Sequence, residues 1–64
     1  MNYVYRVSSP QDKKVVLYAL SSFGAAAAKK TITGNGYRAS VRKLKLCCVP
    51  KDEMFMVKLL ARSL

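Results

Sequence analysis

The chain has no histidine, no tryptophan and only three acidic residues among its 64. Histidine is the usual base of Ser and Cys nucleophiles near neutral pH, so its absence removes the common catalytic dyads and triads. Two of the acids, Asp52 and Glu53, are adjacent at a predicted helix start, where capping explains them. The sequence selects no catalytic residue and no cofactor site, and we predict that the protein is not an enzyme.

Cysteine is scarce as well, because the two cysteines, Cys47 and Cys48, are neighbours. A vicinal pair cannot link distant segments as the disulfides of small secreted domains do. Two thiolates also supply only half of a closed zinc site, and no histidine or third cysteine completes it. We therefore predict no metal site, two reduced thiols on opposite faces of an extended segment, and an intracellular protein, cytoplasmic or nucleoid-associated.

Long hydrophobic runs are missing too. The longest uncharged run, residues 15–28, has 14 residues and is flanked by two lysine pairs. A helix that spans a bilayer needs about 20 apolar residues. We predict that this run belongs to a buried or interfacial helix, with a secretory signal or a membrane-surface helix as alternatives, and we do not expect a membrane partner.

Positive charge is what the sequence has in excess: twelve Lys and Arg against three Asp and Glu give a formal net charge of +9. Residues 13–51 contain nine bases and no acid. A field of one sign destabilises a compact domain unless a polyanion relieves it. We therefore predict a nucleic-acid-binding protein, for DNA or RNA, such as a viral or mobile-element regulator or a ribonucleoprotein component. The predicted contact residues are Lys29, Lys30, Arg38, Arg42, Lys43, Lys45 and Tyr37.

These residues have distinct expected roles. The lysines would neutralise phosphates, and the planar guanidinium groups of Arg38 and Arg42 would make bidentate contacts to phosphate or guanine. Tyr37, together with other tyrosines that face outward, would stack on unpaired bases. The alternative is that the bases only keep a small apolar protein soluble and that the tyrosines belong to the core.

A second hypothesis is a basic protein–protein adaptor, linker or inhibitor that docks on an acidic protein surface. Its support is a surplus of large apolar residues near the end of the chain, which one helix cannot bury entirely in so small a domain. A homodimer would also cover them. The predicted interface residues are Met54, Phe55, Met56 and Leu59.

Two short segments, Tyr3–Ser8 and Val49–Met54, resemble the opening strand and the Val-Pro helix start of the small linker polypeptides of phycobilisomes. The Gly-Gly and closing strand that follow this helix in the family are absent here, and residues 10–36 have no counterpart. The resemblance implies a basic protein–protein linker.

The pattern predicts a single domain, residues 1–64, that begins with a strand over residues 2–8. Ser9 and Pro10 suit the N-cap and first position of a helix. Apolar residues at helical spacing then continue this predicted helix through residues 16–27. The segment Gly34-Asn35-Gly36 predicts a hairpin turn, because such a turn needs positive φ at its centre.

The second arm of that hairpin, residues 37–49, is ambiguous. As a strand it needs a bulge after Arg42, where the polarity of its faces swaps. As a helix it presents an apolar stripe that includes Val41 and Leu44. We favour the strand, followed by Pro50 and a last helix capped near Asp52, with Val57, Leu60 and Leu64 inward. The predicted fold is a two-layer α+β domain of order β-α-β-β-α, and the alternative is a three-helix all-α domain.

Overall fold

The structure is a computed structural model that describes residues 2–62. Within that range the chain forms one antiparallel sheet and two helices, which confirms the predicted α+β class, and the three-helix alternative is not supported. The strand order is β2-β1-β3, so β1 is central. The elements are β1 (Tyr3–Ser9), β2 (Asp12–Ala19), α1 (Ser22–Gly34), β3 (Ser40–Lys45), a 3₁₀ turn (Leu46–Cys48) and α2 (Met54–Arg62).

The element order is β-β-α-β-α, so the predicted helix over residues 10–27 is wrong for residues 10–21. Residues 15–20 are apolar in an unbroken run, because β2 is covered on both faces. A strand buried on both faces loses the alternating pattern and cannot be told from a buried helix by periodicity. Val16 and Leu20 matched a helical stripe for this reason.

Ser9 and Pro10 do not start a helix: Ser9 ends β1, and Pro10 and Gln11 form the tight turn to β2. Ser9 is paired with Asp12 across the turn, and its Oγ accepts a hydrogen bond from Gln11 N at 3.2 Å. Proline prefers the second position of such a turn for the same fixed φ that suits it to a helix start, so the residue alone does not separate the two structures.

Helix α1 begins at the N-cap Ser21, whose Oγ accepts a hydrogen bond from Gly24 N at 3.2 Å. It ends in a Schellman motif: Tyr37 N donates to Ile32 O at 3.3 Å, and Gly36, with φ of 87°, donates from its N to Thr33 O at 3.1 Å. The predicted Gly-Asn-Gly hairpin is therefore wrong. The positive φ that favours glycine in a hairpin here ends a helix.

Strand β3 confirms the strand over the strand-or-helix alternative, although it covers only Ser40–Lys45. It pairs with β1 in continuous register from Ser8↔Ser40 to Tyr3↔Lys45, without the predicted bulge after Arg42. The irregularity lies instead between Ser8 and Ser9, in the pairing of β1 with β2.

The two helices pack on opposite faces of the sheet, so the domain has three layers rather than the predicted two. Val7 on one face packs with Ala25 and Ile32 of α1. Val4 on the other face packs with Val57 of α2 and with Val49. Both strand residues are fully buried, because β1 is the central strand and alternate side chains point to opposite faces.

Helix α2 follows a turn at residues 51–53 and presents Val57 and Leu60 to the sheet, as predicted. Val57 is buried and Leu60 is half-buried. The third residue of the predicted stripe, Leu64, lies outside the described residues.

Candidate nucleic-acid interface

Strand β3 is the part of the sheet that the helices leave open. Helix α1 packs mainly on β1 and β2, and α2 packs mainly on β2. Five of the six residues of β3 are exposed, and only Leu44 is half-buried. The open strand therefore offers both of its faces to solvent at one side of the domain.

The register of β3 separates its basic residues between these two faces. Lys43 and Lys45 lie opposite Tyr5 and Tyr3 on the face that carries α1. Arg42 lies opposite Arg6 on the face that carries α2. Two bases that are consecutive in sequence cannot share one face of a strand, since successive side chains alternate.

Tyr3 and Lys43 contact each other on the α1 side of the sheet. Lys43 Nζ lies 5.0 Å from the centroid of the Tyr3 ring, within the range of a cation–π interaction. Tyr3 is 44% exposed, whereas Tyr5 beside it is half-buried against the Val7 cluster. The ring of Tyr3 is thus available at the surface, next to an ammonium group.

Helix α1 adds Lys29 to this side. Ala25 and Ile32 of the helix pack against the sheet. Thr31 lines a cleft together with residues of β2, so it lies on the side of the helix nearest β2. With 3.6 residues per turn, Lys29 falls on the other flank, towards β3. Lys30 falls on the solvent side of the helix, and both lysines are exposed. We call Lys29, Lys43 and Lys45 the lysine face, and Tyr3 lies beside it.

Two predicted residues lie away from the lysine face. Arg38 precedes β3, and its backbone N donates to Gln11 Oε1 at 2.7 Å, at the end of the sheet where β1 turns into β2. Tyr37 is half-buried, packs against the Val7 cluster and lines the cleft beside Thr31. Its role in the Schellman motif makes Tyr37 part of the packing at the end of α1.

The predicted basic strip is therefore not one continuous surface. Lys29, Lys43 and Lys45 lie on the side of the sheet that carries α1, and Lys30 is on the outer side of the same helix. The sheet separates Arg42 from them. The sequence predicts stacking by Tyr37 and by unspecified outward-facing tyrosines. The signal that singles out Tyr3 is its place on β1 opposite Lys45, which requires the strand register.

All three acids of the chain lie elsewhere. Asp12 is at the start of β2, where its Oδ1 accepts a hydrogen bond from Lys14 N at 2.9 Å. Asp52 and Glu53 line a cavity together with Arg6, on the α2 side of the sheet. The lysine face consequently carries positive charge with no acidic side chain to neutralise it.

Glu53 forms a polar cluster with Arg6 and Tyr18 on the α2 side. Arg6 Nε donates to Glu53 Oε1 at 3.0 Å and Nη2 donates to Oε2 at 3.3 Å, while the Tyr18 hydroxyl donates to the same carboxylate. The hydrogen bonds from Arg6 hold the pKa of Glu53 below its usual value. Burial, and then the bond to Glu53, raises the pKa of Tyr18 to about 12. Both oxygens of the Glu53 carboxylate therefore accept hydrogen bonds within the protein, and the cluster has a structural role.

The two cysteines are arranged differently from the prediction. Cys47 and Cys48 lie in the 3₁₀ turn, both exposed, with Sγ atoms 3.9 Å apart, so the thiols are not on opposite faces of an extended segment. Sharing a hydrogen bond with Cys47 raises the pKa of the Cys48 thiol. Over residues 2–62 no group of three or more His, Cys, Asp or Glu side chains is placed to hold a metal ion.

The predicted protein-interface residues divide into two pairs. Met54 and Met56 are half-buried against the Val4 cluster. Phe55 and Leu59 are 56% and 59% exposed, one helical turn apart on the outer side of α2. The structure thus leaves two large apolar side chains of α2 at the surface.

No family model, no curated protein and no solved structure matches this chain. Neither helix of the described part of the chain has the length and apolarity needed to cross a membrane. Residues 15–28, predicted as part of one helix, are divided between β2 and α1.

Proposed function

We propose that this protein is a non-enzymatic, intracellular nucleic-acid-binding protein whose lysine face contacts the phosphate backbone. The observation that carries the proposal is the segregation of charge: Lys29, Lys43 and Lys45 share one side of the molecule, and all three acids lie elsewhere. Each lysine that neutralises a phosphate releases condensed counterions, so binding of this kind weakens steeply as salt rises.

The test compares two triple variants of equal charge. Lys29, Lys43 and Lys45 are changed to Gln in the first, and Lys13, Lys51 and Lys58 are changed in the second. Each lowers the formal net charge from +9 by three, to +6. Lys13 lines the cavity beside Glu53 on the α2 side, Lys51 lies in the turn before α2, and Lys58 lies on α2 itself.

Fluorescence anisotropy with labelled DNA and RNA, at salt concentrations from 50 to 200 mM, then measures affinity and its salt slope. We expect the lysine-face triple to lose at least about tenfold in affinity and to show a shallower salt slope, since fewer phosphates are neutralised. The α2-side triple should bind nearly as the parent does. Equal losses in the two triples would show that net charge alone matters, and absence of binding in the parent would refute the proposal.

A second candidate function is favoured by the exposed pair Phe55 and Leu59. Lys58 and Arg62 accompany them on α2, so this helix presents apolar surface beside positive charge. Such a surface suits an adaptor, linker or inhibitor that docks on an acidic protein, and self-association would cover the same residues.

A pull-down from the native host, with and without nuclease, separates the two candidates. A protein partner that remains after nuclease treatment and is lost in the F55S/L59S double variant would support docking through α2. Capture that disappears with nuclease would support the lysine face. Sedimentation of the same double variant shows whether these residues hold a dimer.

A further inference from the structure

We infer that the nucleic acid is single-stranded and that one of its unpaired bases stacks on Tyr3, in a cleft beside the lysine face. This inference rests on the function proposed above and specifies its ligand. The cleft has a volume of about 690 Å³ and is lined by Asn2, Tyr3, Lys45, Leu46, Cys47 and Met54.

Tyr3 is the tyrosine that the fold keeps available for stacking. Tyr18 is 7% exposed and bonded to Glu53, and Tyr5 and Tyr37 are half-buried in the cluster under α1. The Tyr3 side chain is 44% exposed. It lies at the first position of β1, paired with Lys45 of the open strand β3. An aromatic ring exposed on a sheet is the platform on which proteins stack unpaired bases, and the faces of bases in a duplex are already occupied by their neighbours.

The cleft supplies the other chemistry that a nucleobase needs. Leu46 and Met54 provide apolar walls, and the Asn2 side-chain amide provides both a donor and an acceptor for a base edge. The position of this wall is fixed by the backbone, since Leu46 N donates to Asn2 O at 2.9 Å and extends the pairing of β1 with β3 past the end of the strand. The site is therefore built on the sheet rather than on a free loop.

The lysines have the spacing of a single-stranded backbone. Lys43 and Lys45 are two residues apart on one face of β3, which places their Cα atoms about 7 Å apart. Successive phosphates of an extended single strand are separated by a similar distance. One nucleotide whose base stacks on Tyr3 can thus have a phosphate at each lysine.

The contact of Lys43 with the Tyr3 ring does not prevent this arrangement. Stacking of a base on an aromatic ring is generally stronger than one exposed cation–π contact, and the Lys43 ammonium is free to move to the incoming phosphate. The side chain that contacts the ring in the unliganded protein is therefore the one that neutralises a phosphate in the complex.

The test uses three labelled probes of one length: an oligothymidylate, a strand of abasic sites with the same phosphates, and a blunt DNA duplex. We expect the parent to bind the oligothymidylate at least about tenfold more tightly than either of the other probes at 150 mM salt, the effect of losing one stacked base. Equal affinity for the oligothymidylate and the duplex would overturn the inference.

Two variants of Tyr3 locate the preference. Tyr3→Leu should abolish the preference for the oligothymidylate. Its affinity for the abasic strand and the duplex, and its salt slope, should equal those of the parent. Tyr3→Phe retains the ring and should retain the preference. Loss of affinity for all three probes in Tyr3→Leu, or for none, would refute stacking on this residue, and circular dichroism confirms that both variants are folded.

Failure of this inference is distinguishable from failure of the proposed function. If the lysine-face triple variant loses binding while Tyr3→Leu binds every probe as the parent does, the phosphate interface stands and the base cleft is refuted. If the parent binds none of the probes, both are refuted.

Discussion

Arg6 and Glu53 join the middle of the central strand to the turn before the last helix by two hydrogen bonds, Nε to Oε1 at 3.0 Å and Nη2 to Oε2 at 3.3 Å. The pair is 47 residues apart in sequence. Arg6 of β1 is also the cross-strand partner of Arg42 on β3, and the like charges of the two side chains repel each other. Glu53 offsets that repulsion and thereby couples α2 to the sheet.

The first prediction concerns the response of this pair to acid. The folded-state pKa of Glu53 is lowered, chiefly by Arg6, so the unfolded chain takes up this proton at a higher pH than the folded protein does. The stabilisation is therefore present above the ordinary pKa of about 4.3 and is lost as pH falls below it. Urea unfolding from pH 7 to pH 3 should show this loss in the parent and a flatter profile in Glu53→Gln.

At pH 7 Glu53→Gln should lower the free energy of unfolding by about 1.5–3 kcal/mol, the range for a hydrogen bond to a charged group. Asp52→Asn is the matched control, because it removes one negative charge from an exposed neighbouring position. Equal effects of the two substitutions would show that the geometry of the Arg6 contact contributes nothing.

The second prediction concerns alkali. Burial and Glu53 raise the folded-state pKa of Tyr18 from 10.0 to about 12, so the folded protein keeps the hydroxyl proton at pH values where the unfolded chain loses it. This contribution is fully present below pH 10 and is lost between about pH 10 and 12. Urea midpoints at pH 9 and pH 11 should fall further in the parent than in Tyr18→Phe. An identical fall in both would contradict the assignment.

The third prediction concerns the N-cap of α1. Ser21 Oγ accepts a hydrogen bond from Gly24 N at 3.2 Å, and its removal in Ser21→Ala should cost about 1 kcal/mol of stability. Ser22→Ala, at the exposed first residue of the helix, is the control and should be nearly neutral. Thermal unfolding followed by circular dichroism compares the two; a larger loss in Ser22→Ala would place the cap elsewhere.

The fourth prediction is that alanine substitutions at two glycines, two residues apart, change the free energy of unfolding in opposite directions. Gly34 closes α1, and a Cβ added there meets nothing within 4 Å, so Gly34→Ala should raise the free energy of unfolding by up to about 1 kcal/mol. Gly36 has φ of 87°, and Gly36→Ala should lower it by about 1–2 kcal/mol because a side chain strains that conformation. Denaturant titrations give both values, and a shared sign would contradict the Schellman assignment.

Sequence periodicity did not identify residues 12–19 as a strand. Val16 and Leu20 have helical spacing, but the segment pairs with β1 from Tyr5↔Ala19 to Ser8↔Val16. That pairing, and the helices that cover both faces of β2, are non-local, so no window of the sequence contains them. The same limit applies to Gly36, whose positive φ suits a hairpin and a helix end equally.

The candidate site was predictable in its charge but not in its shape. The acid-free run over residues 13–51 already indicated a polyanion, yet Arg42 and Lys43 lie on opposite faces of β3, and Tyr3 meets Lys43 from a different strand. Which bases act together depends on strand register, and register is set by the hydrophobic pairing of whole strands.

By itself the sequence determined the excess of positive charge, the lack of histidine, the first strand and the α2 stripe of Val57 and Leu60, because these follow from residue type or from periodicity within a few turns. The tertiary structure alone decided that β2 is a strand, that the helices lie on opposite faces, and that Lys29 is on the same side of the sheet as Lys43 and Lys45. Those outcomes depend on how distant segments bury their apolar surface against each other, and no local pattern specifies that.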